Sequence, residues 1–275
     1  MTRRVAVLGV WLATMVGLAP GAAWAQEAAD PDPDLQVVVS EPDFTLGVLP
    51  TTLRMPAGKM AFRVTHRFTY RINDGGFGRF LENGLGLDAS AVTGLEFRFG
   101  LVRGGQLVVH RSGSKNIQFM FQQQVVGQDR GRALSLDLFG AIEGQNNFRE
   151  DYSFAGGAVI SRRLNNRGAL YLHPMGAWNV TPEVAGDRQH AFVLGMGARV
   201  RLGARSYLVA EFAPRLAGYD RGASLISIGL ERRAGGHMFQ INVSNGFDAT
   251  LAPQGRGGPS PHYWHIGFNL SRKFF

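Results

Sequence analysis

Nine polar side chains stand at alternate positions of otherwise apolar stretches: Arg63 and Arg67, Glu96 and Arg98, Arg199 and Arg201, Glu211, and Gln240 and Asn242. Successive side chains of a β-strand point to opposite faces, so the polar members of each stretch share one face and the apolar residues between them share the other. An arginine held against lipid at mid-bilayer costs about 2–4 kcal/mol, so in strands that cross a membrane this polar parity turns inward. Five guanidiniums against two carboxylates then give a positive interior suited to small anionic or neutral polar solutes. The same residues admit a second arrangement, in which Glu211 pairs with Arg199 or Arg201 on the neighbouring strand and the interior is filled and shut.

Other pairs carry less chemistry. His110 and Ser112 share a face and resemble the His/Ser arrangement of outer-membrane phospholipases, but no residue that would orient the histidine is evident, so the sequence is read as that of a non-enzyme. His262 and His265, three apart on a strand, face opposite sides and cannot share a metal; neither metal nor cofactor is expected.

The elements that must position these residues are strands. Alternation marks twelve of them, over residues 59–69, 91–101, 106–111, 116–126, 132–142, 151–161, 168–178, 190–202, 205–215, 223–232, 236–245 and a closing stretch that ends the chain. Short turns (Val102–Gly105, Gly127–Gly131, Leu164–Arg167, Gly203–Ala204, Arg233–Gly235) alternate with longer links, except between Ser112 and Lys115. Most strands run near ten residues, enough for a tilted bilayer crossing and longer than the usual strand of a soluble sandwich. The fold expected is an all-β, antiparallel, up-and-down transmembrane β-barrel of about 12 strands.

Both ends of the chain agree. Arg3 and Arg4, the apolar run Val5 to Leu18 and Ala23-Trp24-Ala25 form a secretory signal peptide, cleaved after Ala25. At the other end Trp264, Ile266, Phe268, Leu270 and Phe274 share the apolar parity, with Phe275 out of phase. These six are the expected insertion signal, read by the barrel-assembly machinery through the C-terminal strand. The domains are therefore 1–25 signal peptide, 26–50 a Pro- and acid-rich periplasmic segment or small plug, and 51–275 barrel; a plain linker is the simplest reading of the middle stretch, which begins Gln26-Glu27-Ala28-Ala29-Asp30-Pro31.

Several phrases resemble a known family: "PTTLRMPAGKMAFRVTHRFTY" (Pro50 to Tyr70), "GGFGRFLENGLGLDAS" (Gly75 to Ser90), "GLEFRFGL" (Gly94 to Leu101), "YLVAEFAP" (Tyr207 to Pro214), "GGHMFQINVSNG" (Gly235 to Gly246) and "HIGFNLSRKF" (His265 to Phe274). Together they are similar to an uncharacterised family of bacterial outer-membrane β-barrels, a domain of unknown function. The resemblance implies location and barrel, and brings no substrate or active site.

Composition excludes the remaining classes. The 275 residues contain no cysteine, so no disulfide staples this exported chain. The net charge of +8 falls by two when Arg3 and Arg4 leave with the signal peptide, and no basic cluster with interleaved aromatics forms a phosphate-binding stripe, so nucleic acid is not a partner. The partners expected are outer-membrane lipid, the assembly machinery and an unidentified small solute. The function expected is a channel for small polar or anionic solutes, with a closed structural or partner-docking barrel as the alternative and a lipid hydrolase a distant third.

Overall fold

Alternation of period two forces every strand to present one face to the outside and one to the inside, and a sheet with an apolar outer face has to close on itself if lipid surrounds it. The computed structural model describes residues 38–73, 76–82, 90–182, 189–246 and 248–274. The signal peptide, residues 26–37 and Phe275 lie outside the described residues.

The strands are β1 (Met60–Phe68), β2 (Ala91–Val102), β3 (Gly105–Ser112), β4 (Ile117–Val126), β5 (Ser135–Gly144), β6 (Glu150–Arg163), β7 (Gly168–Trp178), β8 (His190–Arg201), β9 (Ser206–Ala213), β10 (Arg215–Gly218), β11 (Leu225–Ala234), β12 (His237–Ser244) and β13 (His265–Phe274). Each pairs antiparallel with its chain neighbours, except that β10 pairs with β8 and β11 pairs with β9. The ninth expected strand is divided: β9 and β10 are two halves separated at Pro214, whose missing N–H interrupts the ladder, while its carbonyl still accepts a bond from Leu194 N at 3.0 Å. Counting these halves as one, twelve strands form the wall among the described residues.

The wall closes where the first strand meets the last, and β8–β9 completes the chain of hairpins between them. β1 pairs with β13 from Met60↔Phe274 to Arg67↔Gly267, and β8 pairs with β9 from Met196↔Phe212 to Arg201↔Tyr207. Phe274 is thus the last wall residue described, held opposite Met60. The final strand begins at His265, so Trp264 precedes it, while Ile266, Phe268, Leu270 and Phe274 take the outward parity that alternation assigns. Leu95, Phe97, Phe121, Phe192 and Ile241 are likewise exposed on the outer face. No helix among the described residues is long and apolar enough to cross a membrane; the crossing elements are strands of 8–14 residues. The Ser112–Lys115 link, which breaks the alternation of short and long connections, is a tight turn with Lys115 at φ 66°.

Candidate functional site

The interior is occupied at both ends. From the short-turn end, residues 38–55 enter the barrel and are buried almost throughout. They are therefore not a solvated tether. Thr45 and Pro50 form an antiparallel bridge, Leu46 N donates to Leu49 O (2.9 Å) and Thr51 N to Phe44 O (2.8 Å), so the segment doubles back as a small hairpin with Gly47 and Val48 at its tip.

The wall holds this hairpin mainly by its main chain. The Glu211 carboxylate accepts the N–H groups of Gly47 (3.2 Å), Val48 (3.0 Å) and Leu49 (3.0 Å). The Gly47 carbonyl accepts from Arg63 Nη2 (2.7 Å), Arg67 Nη2 (3.3 Å) and Asn269 Nδ2 (3.3 Å). Gln240 Nε2 donates to Leu46 O at 2.7 Å and Arg199 Nη2 to Thr45 O at 2.6 Å. Farther along, Gln122 Nε2 meets Thr51 O (2.8 Å), and Gln106 accepts from Met55 N (2.9 Å). A buried backbone group without a partner costs free energy comparable to a lost hydrogen bond, and this hairpin has neighbouring strands on neither side, so the wall side chains stand in for a ladder. Gly47 makes the close approach easy: a Cβ there would lie 2.6 Å from a Glu211 oxygen and push that carboxylate away from the hairpin. Gly197 of β8 leaves space in the same way for Leu46, whose Cδ1 would meet a Cβ at 2.1 Å.

Eight of the nine sequence-selected residues are buried in this interior: Arg63, Arg67, Glu96, Arg98, Arg199, Glu211, Gln240 and Asn242. Arg201 departs. It sits at the short-turn rim, where its guanidinium donates to Gly203 O (2.9 Å). The expected pairing of Glu211 with Arg199 or Arg201 is also replaced. Glu211 is taken by the hairpin, and Arg199 makes a two-pronged pair with Glu231, Nε to Oε2 at 2.7 Å and Nη2 to Oε1 at 2.9 Å, with both side chains fully buried. Glu96 bridges Arg98 (2.9 Å) and Arg63 (3.5 Å), which is the filled-interior arrangement on that side. Glu231, Gln106 and Gln122 are inward residues absent from the nine, for which strict alternation within each strand is the available signal; Asn269 and Ser271, on the wetter parity of the closing strand in the sequence, are inward as well.

At the outward end the link between β12 and β13 folds into the mouth as a six-residue helix, Leu251–Arg256, with Leu251 to Gly255 buried. It rests on Ala155, Ala177 and Ala191, one inward residue from each of three neighbouring strands in register. Three methyl groups in a row leave the depth a helix needs. Thr250 and Leu251 anchor it, the latter through its N–H to Gln118 Oε1 at 2.8 Å. Above the helix a cavity of about 640 Å³ opens outward, lined by Asn116, Gln145, Tyr219, Arg221, Asp248 and Arg256 among others. His110 and Ser112 both point inward, but neither histidine nitrogen has a protein hydrogen-bond partner, and Ser112 Oγ is bonded to Ser114 Oγ at 2.7 Å. No nucleophile–base bond joins the pair.

A closed antiparallel wall with an apolar exterior, charged interior and short turns at one end defines a membrane-spanning β-barrel. The chain belongs to the family described as the membrane bound beta barrel domain (DUF5777), which matches residues 44–274. The matched span begins at Phe44, inside the lumenal hairpin, so the family pattern takes in the hairpin together with the wall. Among solved structures, the chain is similar to the NanC porin (TM-score 0.51, 8% identity, covering 79% of this chain and 100% of that one). It is also similar to the KdgM porin (TM-score 0.48, 7% identity, 78% and 99%). No curated protein matches. The likeness to the NanC porin is one of fold.

Proposed function

We propose that the protein is an outer-membrane channel for small polar or anionic solutes, and that the structure is its occluded state, with residues 38–55 and the Leu251–Arg256 helix standing in the conduit. The observation that carries this reading is the use made of the arginines. Arg63, Arg67 and Arg199 all donate to main-chain carbonyls of the hairpin, and water or an anion offers acceptors of the same kind. Withdrawal of the hairpin would bare Arg63, Arg67 and Arg199 together with Glu211, and the excess of guanidiniums among these four favours anions. Export through the signal peptide, insertion of the C-terminal strand by the assembly machinery and contact with outer-membrane lipid belong to the same reading.

The test is a salt-gradient measurement in a planar bilayer on the refolded protein and on Arg63→Gln/Arg67→Gln. The expected result is conductance with anion preference in the wild type, and a reversal potential shifted toward cations in the variant. A conducting wild type whose ion preference survives both substitutions would refute the arginine-lined path. A second reading, a permanently closed barrel that docks a partner, is favoured by the burial of nearly all inward side chains at mid-height. A silent wild type decides for it.

A further inference from the structure

The inner wall carries two tracks that run side by side around the barrel. Following the strand register, one is polar: Ser271 on β13, Arg63 on β1, Glu96 on β2, His110 on β3, Gln118 on β4 and Glu143 on β5 are successive cross-strand partners, continuing to Ser153 on β6. The other lies two residues away along each strand and is apolar from β3 onward: Val108, Met120, Ala141, Ala155, Ala177 and Ala191. Phe139, Met175 and Val193 widen it on the next row. Strands of a barrel tilt, so a row of register partners climbs as it circles. The polar track begins beside the hairpin at Arg63 and ends at Glu143 and Ser153, near the helix and the mouth cavity.

A conduit for wholly hydrated ions has no use for this second track. Interiors of open barrels are polar, and an apolar row around six consecutive strands disfavours water wherever nothing apolar covers it. The Leu251–Arg256 helix covers the Ala155, Ala177 and Ala191 part of it now, and Leu251 packs in the same cluster as Val108 and Met120. The row itself is aliphatic, built of valine, methionine and alanine, with Phe139 as an aromatic neighbour on the next row, so most of what it offers is methylene contact.

From these two adjoining tracks we propose, resting on the channel reading above, that the solute is amphipathic: an anionic head follows the polar track while an aliphatic body lies along the apolar one. The head meets in turn Asn116 and Arg256 at the mouth cavity, beside the Glu143 carboxylate, then Gln118 and His110, and finally the arginines at the hairpin, where Glu96 is already held by Arg98 and Arg63. The tail is sheltered from water against Met120, Val108 and Met175.

The probes are alkanesulfonates, which keep one negative charge at all working pH and differ only in chain length. Permeability is read from bi-ionic reversal potentials across bilayers holding the full-length protein. Free diffusion ranks methanesulfonate above hexanesulfonate, since the smaller ion moves faster. The proposal expects the reverse, hexanesulfonate exceeding methanesulfonate by at least about threefold, because each added methylene gains favourable transfer against the apolar row. In Met120→Gln, checked for folding by its heat-modifiable gel mobility, the ratio falls toward the diffusive order; a graded rise through butanesulfonate in the wild type gives the same answer without a variant. Methanesulfonate passing more readily than hexanesulfonate in the wild type overturns the amphipathic solute while leaving the channel intact. Absence of current with every probe overturns the channel reading, and this inference with it.

Discussion

Two elements fill the same barrel by opposite means. The N-terminal hairpin is held by charged and amide side chains that bond its backbone, with Glu211 accepting three N–H groups and Gly47 O accepting from three donors. The outward helix is held largely by shape, seated on Ala155, Ala177 and Ala191, with one wall-to-backbone bond at each end, Leu251 N to Gln118 Oε1 and Arg215 Nη1 to Arg256 O. Hydrogen bonds to charged groups are directional, costly to leave unmade and exchangeable with water, whereas apolar seating is non-directional and fails when its volume is wrong. The hairpin should therefore respond to charge and protonation, and the helix to side-chain size.

The largest effect expected from breaking this contrast is at Arg199. Arg199→Ala leaves the fully buried Glu231 without its two-pronged partner and removes the donor to Thr45 O, so stability should fall by about 3–5 kcal/mol. A urea-unfolding midpoint measures it; Arg201→Ala, at the rim, is the matched control and should stay within about 0.5 kcal/mol. A loss at Arg199 no larger than at Arg201 would mean that the polar hold is decorative.

A smaller effect is expected at the helix. Gly255 sits so close to the wall that a Cβ on it would lie 2.9 Å from Ala177 Cβ. Ala177→Leu therefore overfills the seat at a cost of about 1–3 kcal/mol, met by displacement of the helix. Limited proteolysis should then cut within 246–264 while the hairpin stays protected. Simultaneous exposure of both segments would show that the two are coupled and that the comparison is false.

The smallest effect concerns pH. Glu41 accepts from Thr52 N (3.1 Å), and its burial pushes its carboxyl above the ordinary value of 4.5, against the pull of Arg163 and Arg199 and beside the Tyr171 hydroxyl. A raised value in the folded state means that the hairpin is favoured by the protonated form: its hold is full below 4.5 and weakens as pH climbs through the raised value. Protease access to residues 38–55 should accordingly rise from acid to neutral pH, and Glu41→Gln should flatten that rise. The same slope in the variant would assign it to another group.

The wall was legible in the sequence because its rule is local. Arg63, Arg98 and Asn242 can be assigned to the inside from their immediate neighbours, with no knowledge of any other strand. Glu231 was hidden by the adjacent Arg232 and Arg233, which place charge on both parities at the end of β11. Its pairing with Arg199 joins β8 to β11, two strands that both neighbour β9, and adjacent-strand reasoning does not reach that far. The hairpin was less legible still. Its prolines and acids look like a linker, and two of the groups that hold it, Glu211 and Arg199, stand on strands more than 150 residues away. The outward helix contains Pro253 and Gly255, poor helix formers that only the alanine seat makes tenable.

The hairpin also fixes an order of events. Gly47 is met by Asn269, 222 residues later in the chain, and by Arg67 close at hand; Leu49 is met by Glu211 after 162. The Asn269 contact needs β13 in place beside β1, so the hold on the hairpin is complete only once the last described strand has joined the first. Loop closure over such distances is slow. Between closure of the wall and docking of the hairpin, Arg63 and Arg199 keep their wall partners Glu96 and Glu231, while the Glu211 carboxylate meets water in place of three N–H groups. A newly made barrel is an empty one, and the resting state is reached by swallowing its own beginning.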